Sequence, residues 1–154
     1  MNSDPAPSIA DRLSRWRNRF SISRTKSKPA HLRRGKRGED LACRFLRRHG
    51  YKILYRNFRG RRGGEIDIVC RDRDTLVFVE VKTRADEDFG RPFETLRRDQ
   101  RERISVGGLA WLRLLDNPDI LFRFDVVEVV MMEKEAPRFE LIRNAFQLAG
   151  HYIY

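Results

Sequence analysis

The sequence predicts a three-layer α/β domain that follows a basic N-terminal arm. The chain has 154 residues, which fits one domain plus a tail. It is 40% hydrophobic and 36% charged, so it can bury one core, and no apolar run approaches the ~20 residues of a membrane span. From Gly35 onward, segments with helical or strand periodicity follow in the order α-β-β-β-α-β-β, which is typical of an α/β domain. We therefore place the arm at residues 1–34 and the domain at residues 35–154.

The arm combines Ser, Pro, Arg and Lys with little apolar content, which is typical of a disordered segment. Within it, Ile9, Leu13, Trp16 and Phe20 are spaced so that they share one stripe of a helix. Three interpretations remain open for this stripe. It could pack on its own domain or a neighbour, lie on nucleic acid as part of a basic arm, or lie on a membrane surface.

Two helices are expected in the domain. The first covers residues 38–50, with Gly50 as its C-terminal stop. Its apolar face would consist of Leu41, Ala42, Phe45 and Leu46. The second covers residues 94–115, although Gly107 and Gly108 weaken its middle by about 1 kcal/mol each.

Five strands are expected from short runs of apolar and β-branched residues. They lie at residues 51–56, 65–70, 75–83, 123–127 and 138–142. A loop of residues 57–64, with three glycines and three arginines, would allow close backbone approach to an anion. Asp125 in an otherwise hydrophobic strand is either a structural hydrogen-bond acceptor or a group behind the site, and we favour the former.

The positive charge of the chain lies mostly in the arm. The net charge of +11 suggests a nucleic-acid partner, yet residues 1–38 hold eleven Lys or Arg and two acids, a net +9. The other 116 residues hold 22 basic and 20 acidic side chains, a net +2, so local clusters must indicate any binding surface. The candidate phosphate contacts are the loop arginines Arg59, Arg61 and Arg62 together with Arg84. The first helix adds Arg44, Arg47 and Arg48, for which a solvated basic face is an equal alternative.

The cysteine content argues against a disulfide or zinc scaffold. The chain has two cysteines, Cys43 and Cys70, no Cys-x-x-Cys pair and three histidines. The N-terminus is arginine-rich and lacks the apolar core of a secretory signal. These features are most simply explained by a reducing cytoplasm.

The hairpin formed by residues 65–83 carries the candidate chemistry. Alternation places Leu76, Phe78, Glu80 and Lys82 on one face of its second strand, opposite Val77, Val79, Val81 and Thr83. On the first strand, Glu65, Asp67 and Val69 share a face, opposite Ile66, Ile68 and Cys70. With the hairpin apex between Arg73 and Asp74, Asp67 faces Glu80 across the pair, about 5 Å apart at Cβ.

Two directly opposed carboxylates repel each other, and folding alone gives no reason for them. A divalent cation would explain the two acids, because Mg²⁺ prefers carboxylate oxygens and retains waters that can attack a phosphate. Lys82, one step along the same face, could orient the water or stabilise charge that develops on phosphorus. The alternative is a surface hairpin in which Lys82 neutralises Asp67 and Glu80 as a modest salt-bridge cluster.

Several motifs together resemble the YraN family, also called UPF0102, over about Gly35 to Phe146. They are Gly-Glu at 38–39, Gly-Glu-Ile-Asp at 64–67, Phe-Val-Glu-Val-Lys-Thr-Arg at 78–84 and Arg-Phe-Asp-Val-Val at 123–127. That family is similar to archaeal Holliday junction resolvases and to the wider PD-(D/E)xK nucleases. The resemblance implies a restriction-endonuclease-like three-layer core with a central mixed sheet, and it is compatible with a homodimer.

The resemblance also implies roles for single residues. Asp67 and Glu80 would be metal ligands, Lys82 the catalytic lysine, and Glu39 an additional acid that a helix presents to the metal. From the residues alone, Glu39 would be a helix N-terminal acid that the helix dipole favours. The sequence departs from the family pattern at Gln100, where many members carry Lys, so the role of that position is open.

Two functions from different classes follow. The first is an endonuclease that uses Mg²⁺ or Mn²⁺ to cleave DNA, in branched or single-stranded forms. The second is a nucleic-acid-binding or assembly module with the same fold and little or no cleavage. The intact set of Asp67, Glu80 and Lys82 favours the first, because a disused site should have lost a member. A protein–protein adaptor that uses the basic arm is a weaker third alternative.

Overall fold

A five-stranded mixed sheet and two helices make up the part of the chain that the structure describes. The computed structural model describes residues 30–61, 63–85 and 96–148. These form α1 (Ala30–Arg48), β1 (Lys52–Arg59), β2 (Glu65–Asp72), β3 (Thr75–Arg84), α2 (Arg98–Leu114), β4 (Phe122–Val130) and β5 (Arg138–Phe146). The sheet order is β1-β2-β3-β4-β5, with β3 and β4 parallel and the other neighbours antiparallel. The α2 helix connects the parallel pair, as such a crossover requires. The predicted element order and the α/β class are confirmed.

Several element boundaries differ from the prediction. The α1 helix begins at Ala30 instead of residue 38, so residues 30–34 of the predicted arm are helical. The rest of the arm, including the stripe from Ile9 to Phe20, lies outside the described residues. The α1 helix begins earlier than predicted because Ala, Leu, Arg and Lys favour helix even in a segment that has no apolar face.

The boundaries of later elements also differ from the predicted ones. The β1 strand continues to Arg59, so residues 57–59 of the predicted loop belong to the strand. The α2 helix begins at Arg98 instead of residue 94, with Arg97 as its N-cap. The β5 strand runs to Phe146 instead of residue 142, because Phe146 is buried and stacks on Phe124 with ring centroids 4.7 Å apart. Tertiary pairing therefore extends strands that look short in the sequence.

Each face of the sheet has its own core. Leu76, Phe78 and Val69 pack with Trp111 and Leu112 of α2. Val77, Val79, Ile68 and Cys70 pack with Ala42, Cys43 and Leu46 of α1. The alternation predicted for β3 is confirmed by this division, and for β2 it holds except at Ile66, which joins the α2 cluster. One helix thus covers each face of the sheet.

The two glycines in α2 have a packing role that the sequence did not suggest. A Cβ at Gly107 would lie 3.0 Å from the backbone N and O of Glu65, and a Cβ at Gly108 would lie 3.0 Å from the ring of Phe124. Gly64, with a φ of +81°, approaches the backbone of Gly107 from the other side. The glycines therefore let α2 lie directly on the start of β2, which offsets their cost in helix propensity.

A buried ionic network fixes the end of the sheet where β4 begins. Arg123 donates from Nε to both carboxylate oxygens of Asp125, at 2.9 and 3.1 Å, and from Nη2 to Asp72 at 2.8 Å. The Tyr51 hydroxyl accepts from Arg123 and from Arg143, each at 3.0 Å. Asp125 also accepts from the backbone N–H of Asn144 at 2.9 Å. Asp125 is therefore a structural acceptor, as favoured from the sequence.

Both cysteines are buried and unbridged. Burial is the main cause of a raised pKa for the thiols of Cys43 and Cys70. Among the described helices, neither is both long and apolar enough to span a membrane.

Candidate acidic site

The β2–β3 hairpin has the register that the turn predicted. Asp72 pairs with Thr75, and the pairing continues without a shift to Ile68 and Val79. Ile68 and Val79 are the last pair of this ladder, and Asp67 and Glu80 lie directly beyond it. The backbone N–H of Val81 donates to Asp67 Oδ2 at 2.8 Å, and the carboxyl of Asp67 also hydrogen-bonds with Glu80. The two acids are therefore in direct contact.

This contact has an electrostatic cost that is visible in the pKa of Asp67. Burial of the carboxyl, then the charge of Glu80, raises the pKa of Asp67 to about 7, and the Val81 N–H opposes this rise. Glu80 itself is buried, with 8% of its surface exposed. Because the Asp67 carboxyl is buried and lies next to Glu80, its anionic form is disfavoured up to about neutral pH.

Lys82 completes the hairpin part of the site. Its Nζ lies 3.0 Å from Glu80 Oε1, and its side chain is 19% exposed. The lysine therefore offsets the negative charge of Glu80. The structure brings Asp67, Glu80 and Lys82 together, and their proximity agrees with the prediction from the sequence.

Glu39 reaches the same region because α1 lies unusually close to β3. A Cβ at Gly38 would collide with Thr83 Oγ1, so glycine is needed for this approach. The charge of Glu39 contributes to the raised pKa of Asp67. Its own carboxylate lies 3.9 Å from Nη2 of Arg56, which is bound more closely by Asp40 at 2.6 Å.

The alternative explanation of Glu39 as an N-terminal helix acid is wrong. Since α1 begins at Ala30, Glu39 is the tenth of its 19 residues and lies beyond the first turn, where the dipole acts. The prediction started this helix at Gly38 because the amphipathic pattern of the sequence begins only there.

The cation-binding potential of the site rests on the carboxylate pair. Within the described ranges, no three or more His, Cys, Asp or Glu side chains form a group able to hold a metal ion. Glu39 is thus close enough to act on Asp67 by charge without joining a ligand cluster. Two carboxylates do fit Mg²⁺, which commonly takes one or two protein acids and fills its other positions with waters and phosphate oxygens.

The arginines predicted to contact phosphate lie at the same end of the sheet. Arg59 ends β1 and pairs with Glu65 at 2.9 Å, with 78% of its side chain exposed. Arg61 is exposed in the loop that leads into β2. Arg84 lies at the end of β3 and pairs with Glu128 at 3.6 Å. Arg62 lies outside the described residues.

Two further residues near the site acquire roles from the structure. Glu128 is 1% exposed and pairs in register with Lys82 across β3 and β4, so it shares the face of Glu80 and Lys82. The predicted site did not include Glu128, although a glutamate inside the hydrophobic run of β4 is a signal that the sequence offers.

Gln100 accepts a hydrogen bond from the backbone N–H of Arg97 at 3.2 Å, so its side chain caps the start of α2.

Comparison with known proteins identifies the family. The model of the uncharacterised protein family UPF0102 matches residues 38–129, a range that includes the three candidate acids and Lys82. A UPF0102 protein of Geobacter sulfurreducens is 50% identical over 115 residues, which cover 75% of this chain and 89% of that relative. A UPF0102 protein of Geobacter metallireducens is 48% identical over 115 residues, with 75% and 93% covered. One of Nocardia farcinica is 44% identical over 112 residues, with 73% and 87% covered. The chain therefore belongs to the UPF0102 family.

Proposed function

We propose that this protein is a divalent-metal-dependent nuclease that hydrolyses phosphodiester bonds in DNA. The observation that carries the proposal is the contact between the carboxyls of Asp67 and Glu80, with the Lys82 ammonium 3.0 Å from Glu80. This combination of two acids and a lysine suits the chemistry of a PD-(D/E)xK nuclease.

The energetic argument for a cation starts from the pKa of Asp67. A carboxyl held at a pKa of about 7 is destabilised as an anion, and a structural salt bridge would show the opposite shift. Lys82 compensates Glu80, so the unfavourable interaction remains concentrated on Asp67. A bound cation would replace the proton that the raised pKa favours on Asp67, and it would convert the repulsion into attraction.

Asp67 and Glu80 would hold Mg²⁺ or Mn²⁺, and Glu39 would add negative charge beside them. When bound, such an ion supplies a water of lowered pKa and neutralises charge on the phosphate. The residues of the chain prepare this position. The Val81 N–H fixes Asp67 Oδ2, and the Lys82 ammonium fixes Glu80 Oε1.

Lys82 has the geometry to act on the substrate as well. Its Nζ has three donors, and Glu80 uses one of them at 3.0 Å. The other two can donate to a non-bridging phosphate oxygen and to the attacking water. Hydrolysis joins the water oxygen to phosphorus and breaks one bridging P–O bond, and the donors of Lys82 stabilise the charge that develops meanwhile.

The arginines at this end of the sheet supply the electrostatic attraction for DNA. Arg59 is exposed at the end of β1, Arg61 is exposed on the loop before β2, and Arg84 follows Lys82 on the same face of β3. Arg62 stays a prediction as a further phosphate contact. Such contacts are independent of sequence and would orient the strand across the acidic pair.

The deciding experiment measures hydrolysis of labelled single-stranded, linear duplex and four-way-junction DNA with Mg²⁺ and with Mn²⁺. The variants are Glu80→Gln and Lys82→Met, with Lys52→Met as a control that removes an exposed lysine from β1. We expect Glu80→Gln and Lys82→Met each to lower the rate by about 10² or more, as loss of a preorganised charge stabiliser does. The control should keep wild-type activity.

The proposal fails if wild-type protein cleaves none of these substrates with either ion. It also fails if the two site variants and Lys52→Met cleave at equal rates, because the activity would then arise elsewhere. Binding without cleavage would instead support the nucleic-acid-binding or assembly module.

A further inference from the structure

A cavity of about 270 Å³ lies between the β1–β2 loop and α2, at the end of the sheet where β2 begins. Its apolar lining consists of Phe58, Val106, Ala110 and Leu114. Three exposed arginines also line it, namely Arg59, Arg61 and Arg113. The described residues that line the cavity include no acidic side chain. Since Arg59 is paired with Glu65, the cavity combines apolar walls with a positive edge to which Arg61 and Arg113 contribute most.

The loop side of the cavity is held in place before any ligand arrives. The backbone N–H of Gly60 donates to the carbonyl of Gly64 at 3.1 Å, and that of Gly63 donates to Gly60 at 3.2 Å. A Cβ at Gly60 would lie 2.9 Å from Cβ of Ala110, so glycine is what allows the loop to rest on α2. A preformed cavity binds without the cost of ordering its own walls.

The lining favours a ligand that has both a flat apolar part and negative charge. Guanidinium groups stack on nucleobases and also pair with phosphate, whereas apolar walls accept the face of a base. The volume falls just below the roughly 300 Å³ at which pockets for drug-sized ligands begin, which suits a single nucleotide. A base that is paired within a duplex cannot enter, because its faces and edge are already covered.

We propose that this cavity receives one unpaired nucleotide of a DNA strand whose following phosphates reach Asp67 and Glu80. This inference rests on the proposed function and specifies its substrate class as DNA with unpaired bases. The loop continues directly into β2, so Cα of Gly63 and Cα of Asp67 are at most about 14 Å apart. At roughly 3.4 Å per stacked nucleotide, about four nucleotides or fewer span that distance.

The test measures DNA binding by fluorescence anisotropy in EDTA, so that its outcome does not depend on cleavage. The probes are a short labelled single strand, the same strand with abasic positions, and a blunt duplex, all at one salt concentration. Val106→Phe fills the cavity without changing charge. Arg113→Gln removes a lining charge, and Arg103→Gln is its control, because Arg103 is exposed on the same helix outside the cavity.

We expect Val106→Phe to weaken binding of the single strand about tenfold, the typical effect of losing one stacked base. Binding of the blunt duplex should change by less than about twofold. Abasic positions in the strand should weaken its binding to the wild type to a similar extent. They should not further weaken binding of the strand to the Val106→Phe variant. Arg113→Gln should weaken single-strand binding more than Arg103→Gln does.

Four results would overturn the inference. One is equal binding of intact and abasic strands by the wild type. Another is equal weakening by Arg113→Gln and Arg103→Gln, which identifies a general basic surface. The third is displacement of the strand by a free deoxynucleoside monophosphate at the strand's own affinity. The fourth is tighter binding of an RNA strand than of the DNA strand.

Far-ultraviolet circular dichroism and the thermal midpoint check that Val106→Phe folds. If it does not fold, the abasic probes and the two surface arginine variants still decide the question. If the protein does not cleave DNA but its binding depends on the bases, the nuclease proposal fails and the nucleotide site is supported. If it cleaves DNA but its binding does not depend on the bases, only the nucleotide site is refuted.

Discussion

Replacing Asp67 by Asn should stabilise the metal-free protein at neutral and alkaline pH. The amide oxygen can still accept from the Val81 N–H, and the amide nitrogen can donate to Glu80 in place of the proton of the Asp67 carboxyl. The variant therefore keeps both hydrogen bonds and loses the repulsion between two carboxylates. This is the reverse of the usual loss that follows substitution in a hydrogen-bonded site.

The sign and size follow from the pKa of Asp67. Its ordinary value is 3.8 and its value in the folded protein is about 7, so the folded state binds the proton more tightly than the unfolded state between these values. The contribution of Asp67 to the free energy of unfolding is thus most favourable below about pH 4 and decreases as pH rises through about 7. At about 1.4 kcal/mol per unit, with a reduction for partial solvent screening, the loss at pH 8 is roughly 2–4 kcal/mol.

The assay is urea unfolding followed by the fluorescence of buried Trp111, at about pH 5 and pH 8 in EDTA. Asp67→Asn should be more stable than wild type by roughly 2–4 kcal/mol at pH 8, with a smaller difference at pH 5. Asp74→Asn is the control, because Asp74 is exposed at the turn of the same hairpin and should change stability little. Adding Mg²⁺ should stabilise wild type and have little effect on Asp67→Asn.

The reasoning is refuted if Asp67→Asn is less stable than wild type at pH 8, or if the difference between them does not depend on pH. Either result would mean that the Asp67 carboxylate is well solvated or compensated by a cation of the protein itself.

Two other substitutions test the packing around the site. Gly38→Ala should destabilise the protein by about 1–3 kcal/mol, because the new methyl group collides with Thr83, and Thr83→Ala should recover most of that loss in a double-mutant cycle of thermal or urea unfolding. Additive effects of the two changes would contradict the close contact between α1 and β3. Arg123→Met should destabilise by about 3–5 kcal/mol at neutral pH, since it leaves the buried carboxylate of Asp125 without its cation. A change below about 1 kcal/mol in urea unfolding would show that Asp125 is not held as a buried ion.

The part of the site that could be predicted from the sequence depends on local geometry. The turn at Arg73 and Asp74 fixes the register of two adjacent strands, and alternation fixes which side chains share a face. The proximity of Asp67 to Glu80 and the position of Lys82 beside Glu80 agree with what these short-range rules predict. The order of the elements followed for the same reason, because each element has its own period.

Features that depend on distant parts of the chain could not be predicted in this way. Gly107 and Gly108 look like weak points of a helix in the sequence, but Gly107 packs against the start of β2 and Gly108 against Phe124 of β4. Glu128 shares a face with Lys82 because β4 pairs parallel to β3 in this register. The two strands are connected through α2, so the sequence does not determine how they align. The true ends of β1 and β5 depend on neighbouring strands that supply their hydrogen bonds.

The sequence by itself determined the hairpin, its two opposed acids and its lysine, since strand alternation and a tight turn act over a few residues. Only the tertiary structure decided that Glu39 comes near them, because this depends on how closely a helix can approach Thr83 when the intervening residue is Gly38. It also decided that burial raises the pKa of Asp67, which a count of charges cannot reveal. The cavity between the glycine-rich loop and α2 likewise exists only where two segments more than 40 residues apart meet.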